Sequence, residues 1–421
     1  MAFVTPTQIR AGNAQRSHKR PPVCTRMTIS PPASFAAGVE TLQNEGAYAV
    51  MAAAKALEQR TGKDVIHLEI GQPGFDTPQP IVEAGVQALQ SGQTRYSNPA
   101  GISSLRHEIA RFARDQRGIS WCEEANVVVG PGAKPALFFA CLALVRGSHD
   151  RVIIPDPGFP TYNAMVQVAG GTAVPVKLRT DQRGYNMKAL REAVDEDTRV
   201  VVVNSPGNPT GGVMPEDDLA ELAALAREKD FWVISDEIYA QLCYEDRYVS
   251  IGSMEGMADR TVVVDGFSKS YCMTGWRLGW GIMPKRLAER VELLLVHSVG
   301  CTATFVQQGG VAALQKASQQ VDEVREIYRA RRDLVVKGLN AMAGVRCEVP
   351  QGAFYAWADV SALGIPVREL AKRLLEEGYV AVLPGTDFGE QGEGFLRLSY
   401  VSEEAALKEG LRRMGSMLKR L

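Results

Sequence analysis

The sequence predicts an α/β protein with a mostly parallel sheet covered by helices on both faces, followed by a smaller α+β unit. Two observations carry this expectation. From about residue 120 onward, short runs of β-branched residues alternate with helical stretches, the pattern of strands buried on both faces and joined by crossover helices. After about residue 300 the order changes, and long helical stretches precede the strands instead of separating them.

In chain order, Val127–Val129, Arg151–Ile154, Ala173–Val176, Val200–Val203, Phe231–Ile234 and Thr261–Asp265 read as doubly buried strands. The stretches Lys134–Val145, Pro160–Val168 and Pro215–Lys229 space their apolar residues for helices. Leu287–Ser298 and Val321–Leu339 also read as helices. They are followed by strands at Gly352–Asp359, Tyr379–Leu383 and Phe395–Tyr400, and by helices at Arg368–Glu377 and Glu403–Leu418. The division expected is a tail over residues 1–30, an N-terminal segment over 31–75 that associates with the smaller unit, a large α/β domain over 76–304, and a small C-terminal α+β domain over 305–421, joined by a long helix. Any ligand of such a sheet belongs beyond the carboxyl ends of its strands.

The 421 residues carry 47 basic and 48 acidic side chains with 45% hydrophobic content, an ordinary globular composition. A net charge of −1 supplies no field that would gather nucleic acid or an anionic membrane. The most apolar long stretch, Val127–Val145, is broken by Gly130, Pro131, Gly132 and Lys134. It falls short of the roughly 20 apolar residues that a membrane span needs. Seven scattered cysteines without a Cys-x-x-Cys pair point to a reducing, cytoplasmic compartment. Residues 1–39 contain no Asp or Glu, and Arg10, Arg16, Lys19, Arg20 and Arg26 cluster before Met27. A flexible tail or a start at Met27 accounts for this better than a transit peptide, because the amphipathic pattern is poor.

There is no phosphate loop of the Gly-x-x-x-x-Gly-Lys type, no His-Glu-x-x-His and no Gly-x-Ser-x-Gly. His67 and Glu69 share a strand face, but two groups make a poor metal site, and no metal is expected. What remains are loops at strand ends. Lys269, in Gly266-Phe267-Ser268-Lys269-Ser270-Tyr271, follows a buried strand in apolar company. A lysine desolvated there is an amine nucleophile for a carbonyl; the plainer reading is a lysine whose stem packs and whose head reaches water.

Five ordered segments resolve that choice: Leu68-Glu69-Ile70-Gly71-Gln72-Pro73-Gly74-Phe75, Asn204-Ser205-Pro206-Gly207-Asn208-Pro209, Ser235-Asp236-Glu237-Ile238-Tyr239, the Lys269 segment ending in Gly275-Trp276-Arg277, and Phe395-Leu396-Arg397-Leu398-Ser399. Together, from about residue 35 to the end, they resemble the class I/II aminotransferases, fold-type I enzymes that use pyridoxal 5′-phosphate. The resemblance implies that Lys269 forms the Schiff base with the cofactor and then shuttles the proton of the substrate. It implies Asp236 against the pyridine nitrogen, where a carboxylate keeps the ring protonated as an electron sink. Tyr239 and Asn208 would bond the phenolate oxygen, and Phe159 would stack on the ring. The Asn208-Pro209 bond is expected to be cis.

Gly132, Ala133 and Lys134 open a helix whose amides and dipole suit a phosphate, with Arg277 adding a bidentate contact. Many relatives carry serine where Gly266 stands, so that donor is lost and Ser268 is the candidate replacement; Cys272 stands where a smaller residue is usual. Tyr96 matches a tyrosine that reaches the neighbouring subunit's phosphate, which implies a homodimer with shared sites. Arg397, with Gly71 approaching beside it, would take the substrate α-carboxylate through its planar fork. Lys134 also falls where some relatives read a distal carboxylate, so the expected substrates are an amino acid and a 2-oxo acid, aspartate/2-oxoglutarate-like or broad-range. A β-lyase acting on C–S bonds or a cyclopropane-forming synthase shares these motifs. A cofactor-sensing regulator would need a DNA-binding unit that the short N-terminal segment does not accommodate.

Overall fold

The structure is a computed structural model that describes residues 35–42, 45–245 and 247–421. The basic N-terminal stretch, residues 1–30, lies outside the described residues. A short strand β1 (Ile66–His67) precedes a seven-stranded sheet made of β2 (Val127–Gly130), β3 (Arg151–Asp156), β4 (Thr172–Lys177), β5 (Thr198–Asn204), β6 (Trp232–Asp236), β7 (Thr261–Gly266) and β8 (Gly279–Ile282). Their spatial order is β2-β8-β7-β6-β5-β3-β4. All neighbours run parallel except β8, which is antiparallel to both β2 and β7.

The valine runs explain why these segments are strands. Val200, Val202, Val262 and Val264 enter one apolar cluster with the Ala133–Leu144 helix, while Val201 and Val203 enter another with the Glu216–Lys229 helix. Alternate residues thus bury on opposite faces, so both faces need a helical cover. β4 departs from the sequence expectation of burial on both faces. It is an edge strand, with Thr172, Pro175 and Lys177 exposed, and an edge is where a proline is tolerated in a sheet. β8 was not expected, because Gly-Trp-Gly-Ile lacks a strand-like composition. Its glycine is set by packing: a Cβ on Gly279 would meet the Ala133 amide nitrogen at 2.5 Å.

The C-terminal unit contains β9 (Arg346–Cys347), β10 (Tyr355–Asp359), β11 (Val380–Ala381), β12 (Leu383–Pro384) and β13 (Phe395–Ser399). Four of them form an antiparallel sheet in the order β12-β13-β10-β9, and β11 pairs in parallel with β1. The expected single strand at 379–383 is therefore two strands in different sheets. The helices Val367–Glu376 and Glu404–Leu418 pack Leu370, Leu374, Leu407 and Met414 against it.

The helix Thr304–Lys316, which the sequence assigns to the C-terminal unit, instead places Val306 and Ala313 in one cluster with Ile81, Leu105 and Ile109 of the large domain. The change of partner falls inside the next helix, Ser318–Asn340. Val321 packs with the first unit, and Tyr328, Val335 and Leu339 with the second. The Gly46–Thr61 helix lays Ala54 and Leu57 against Leu375 and Ala381 of the C-terminal unit. Among the described residues no helix is long and apolar enough to cross a membrane.

Below β7, Arg117 meets Asp265 at 3.3 Å with both side chains under a tenth exposed, and its guanidinium lies 5.2 Å from the Phe112 ring and 5.0 Å from the Tyr248 ring. Burial pushes the Asp265 carboxyl up to about 7, opposed by Arg117. Removing the cation alone strands a buried carboxylate, which is the costly way to break such a pair. Arg117→Met is therefore expected to lower the melting temperature at pH 8 by on the order of 5–10 °C. Adding Asp265→Asn should recover part of that loss; thermal unfolding of the single and double variants checks it.

Candidate active site

The carboxyl ends of β2, β5, β6 and β7 finish at Gly130, Asn204, Asp236 and Gly266 on the same edge of the sheet. Lys269 sits beyond that edge on the hairpin loop between β7 and β8. The loop is closed at its base by the Phe267 amide, which donates to the Leu278 carbonyl at 3.2 Å, and further in by the Met273 amide donating to the Phe267 carbonyl. Gly266 faces Gly279 in the strand register, and a Cβ on it would come within 3.0 Å of the Gly279 Cα. The glycine standing where relatives carry serine thus sits in a tight strand pairing, where a side chain would have to be accommodated by its neighbour. Cys272 takes a φ of 55° within the loop.

The Lys269 ammonium donates to the Gly71 carbonyl at 2.7 Å. Burial, reinforced by Arg397, Lys134 and Arg277 and opposed by Asp236, lowers its pKa to about 8. Gly71 therefore meets the lysine through its carbonyl, where the sequence reading had its backbone approaching a carboxylate. A Cβ on Gly71 would strike the Tyr355 hydroxyl.

Asp236 closes β6 and is 5% exposed. It accepts from the Tyr162 hydroxyl at 2.8 Å and from the Ile238 amide at 3.3 Å. Burial raises its carboxyl to about 6, and no cationic side chain pairs with it among the described residues. Tyr162 stands edge-on to Phe159, ring centroids 5.8 Å apart. Both belong to the segment that follows β3, where Asp156-Pro157 is cis.

Tyr239 is buried and shares a 2.8 Å hydrogen bond with the Tyr355 hydroxyl. Asn208, preceding a cis proline as expected, has its amide held by Asn204 Oδ1 at 2.7 Å. Tyr239 and Asn208 are not bonded to each other; each is oriented by a different partner. Asn208 Oδ1 accepts from Arg397 at 3.1 Å, which turns its side-chain amide nitrogen away from the arginine.

Arg397 lies in the middle of β13 and is 4% exposed. Its guanidinium donates to Asn208 and to the Glu69 carbonyl, and its face covers Tyr355 at 4.4 Å and Phe388 at 4.9 Å. Its Nε is buried without a hydrogen-bond partner, an unfinished donor set that suits a planar anion.

Gly132 has a φ of 97° and precedes the Ala133–Leu144 helix, whose start has no side-chain cap. A Cβ on Gly132 would lie 2.5 Å from Arg277 Nη2, so the guanidinium rests directly on this turn. Arg277 is held there by the Thr274 carbonyl at 3.0 Å. Free first-turn amides, a helix dipole and a guanidinium together form an anion cradle. Ser268 is buried in the lysine loop, and its hydroxyl makes no hydrogen bond among the described residues.

Lys134 has its ammonium engaged by the Glu45 carboxylate, 5.0 Å from the Phe159 ring centroid, with 44% of its side chain still exposed. Tyr96 stands apart from the cluster at 95% exposure. His67 and Glu69 are joined by a 2.7 Å contact, and no group of three or more His, Cys, Asp or Glu converges among the described residues.

Sequence reasoning missed Tyr162, Tyr355, Glu69 and Glu45. Tyr162 was within reach, since it lies three residues after Phe159 on the same helix start. The other three had no local signal.

These residues fit pyridoxal 5′-phosphate. Asp236 is a buried carboxylate lacking a cation, the Gly132 turn leaves room where a side chain would collide, and Arg397 keeps a donor unspent.

The family model for aminotransferase class I and II matches residues 63–414. An aspartate/prephenate aminotransferase of Thermus thermophilus is 40% identical over 373 residues, covering 87% of this chain and 94% of that protein. A structure of the aspartate aminotransferase from T. thermophilus with maleate superimposes with a TM-score of 0.86 at 37% identity, covering 92% of this chain and all of that one. The aromatic aminotransferase from Pyrococcus horikoshii gives a TM-score of 0.83 at 38% identity over 87% of this chain and 99% of that one. With its lysine hairpin, buried arginine and anion cradle in one cleft of a fold-type I architecture, the chain belongs to the class I and II aminotransferase family, whose enzymes use pyridoxal phosphate.

Proposed function

We propose that this transaminase moves the amino group between an L-amino acid and a 2-oxo acid by a ping-pong cycle, with broad side-chain range. The observation that carries the assignment of residues is a buried amine, lowered to about 8, in the same cleft as a buried arginine with an unspent donor. When bound, pyridoxal phosphate supplies an aldehyde and a ring that accepts the electron pair left as the substrate Cα loses its proton.

The chain's own groups do the rest. Arg397 fixes the α-carboxylate, aided by the Asn208 and Glu69 contacts that hold its plane. That would orient the Cα–H toward Lys269, whose neutral amine would take the proton from Cα and return it to the carbon that had been the cofactor's aldehyde, on the far side of the nitrogen. Asp236, kept aimed by the Tyr162 hydroxyl, would hold a proton at the ring nitrogen. Tyr239 and the Asn208 side-chain amide would bond the ring oxygen, and Phe159 would cover a ring face. Gly132, Ala133, Ser268 and Arg277 would hold the phosphate.

Relatives of comparable similarity carry aspartate, prephenate and aromatic names, which supports a broad range over a single preference. The exposed Tyr96, together with exposed Leu293, Val296 and Val299 near the end of one helix, supports a homodimer in which Tyr96 reaches the partner's phosphate. Six described cysteines, all unpaired, support a cytoplasmic location.

Lys269→Ala is expected to abolish the cofactor's visible band in the lysine-linked form and to remove measurable turnover; full turnover in that variant would falsify the assignment. Arg397→Lys should raise KM for every amino acid by about 10²-fold, with a smaller change in kcat, because a single ammonium cannot reproduce the planar fork. Steady-state kinetics separate the two parameters. In cofactor-free protein the Lys269 amine is protonated below its pKa of about 8 and a nucleophile above it. The rate of aldehyde uptake should therefore climb with pH through a midpoint near 8; a midpoint above 10 contradicts the desolvated amine.

A further inference from the structure

The cations around Lys269 differ in how they are satisfied. Arg397 is held by an amide oxygen and a carbonyl, and Arg277 by carbonyls, so both keep their full positive charge toward the cleft. Lys134 alone is matched by a carboxylate. Glu45, the residue before the Gly46–Thr61 helix, contacts its ammonium, and the Thr161 hydroxyl lies 3.5 Å from the same carboxylate oxygen. The pair lies beside the cofactor end of the site: the Lys134 ammonium is 5.0 Å from the Phe159 ring centroid, Lys134 is in the first turn of the helix that Gly132 opens, and the two side chains stay partly exposed at 44% and 29%.

A second acid lies on the same rim. Asp387 packs so closely on Gly46 that a Cβ there would overlap its carboxylate, and it is already matched by Arg368 at 2.8 Å. On this rim Lys134 and Arg368 are thus each matched by a carboxylate. A second substrate carboxylate arriving there would meet Glu45 and would have to expel it from Lys134, at the cost of like-charge repulsion. An uncharged side chain meets no such cost, and the Phe159 and Phe388 rings supply apolar contact nearby.

We propose that Glu45 is a specificity-determining residue: by neutralising Lys134 at the mouth of the site, it turns selection away from dicarboxylic amino acids and toward those with uncharged side chains. The inference rests on the transaminase reading above and narrows its substrate class.

The test compares holoenzyme carrying Glu45 with the Glu45→Gln variant, each mixed with L-alanine, L-phenylalanine, L-aspartate and L-glutamate, following the change in the cofactor's absorbance. Glutamine keeps the size of the side chain and removes the charge. The unsubstituted enzyme should convert alanine or phenylalanine with a higher kcat/KM than aspartate. Glu45→Gln should raise the aspartate-to-alanine ratio by about tenfold, the order expected when one matched charge is set free. Adding Lys134→Met should cancel that rise, because the freed lysine is what reads the second carboxylate; a rise that persists shows that the lysine does not carry it and overturns the proposal. A ratio that stays level or falls in Glu45→Gln, while alanine is still converted, overturns the inference and leaves the transaminase reading standing. Failure of the unsubstituted holoenzyme to convert any amino acid to its keto acid overturns that reading and the inference together.

Discussion

One guanidinium holds the functional cleft together. Arg397 is charged at any accessible pH, lies 4% exposed in the middle of β13, and must be satisfied where it sits. It is satisfied by three parts of the chain at once: Asn208 from the loop after β5, the Glu69 carbonyl from the N-terminal segment, and the rings of Tyr355 and Phe388 from the C-terminal unit. Loss of the relative placement of these parts would leave a buried charge without partners, so the arginine penalises any other arrangement. The same constraint leaves Nε unpartnered and turns a structural requirement into a carboxylate receptor.

Around that fixed charge, the other groups are tuned by what surrounds them. Lys269 sits among Arg397, Lys134 and Arg277, which together with burial lower its pKa to about 8, so that a substantial share of the amine is neutral just above physiological pH. Asp236 is buried on the opposite side without a cation, so its carboxyl lies high until a protonated partner arrives. Both shifts are driven first by burial, and the two groups oppose each other's shift, Lys269 lowering Asp236 and Asp236 raising Lys269. Two glycines make the geometry possible. Gly279 lets β8 pack against the Gly132 turn at distances that no side chain would fit, and Gly266 pairs tightly with Gly279 across the strands.

Much of this was legible in the chain. The valine runs of β5 and β7 declare doubly buried strands, because a strand covered on both faces has no polar positions to interrupt it. The segments carrying Asn208, Asp236, Lys269 and Arg397 were recognisable in their order along the chain, since each packs its chemistry into a few adjacent residues. Less legible were β8, whose glycines answer a neighbour rather than a propensity, and the Thr304–Lys316 helix, whose amphipathic face does not say which unit it covers. The Glu45 partner of Lys134 was not legible for the same reason: a charge reads identically in sequence whether or not a partner stands opposite.

The sequence by itself therefore determined most strands of the large sheet and pointed to the turn at Gly132 and the candidate reacting groups, because these depend on residues near one another along the chain. Only the tertiary structure decided which groups meet. Glu45 and Lys134 are 89 residues apart, Tyr239 and Tyr355 are 116 apart, and Arg397 and Glu69 are 328 apart. No periodicity spans such separations. These contacts follow from how the N-terminal segment and the C-terminal unit close over the carboxyl edge of the sheet, and they set the charge that a substrate side chain meets.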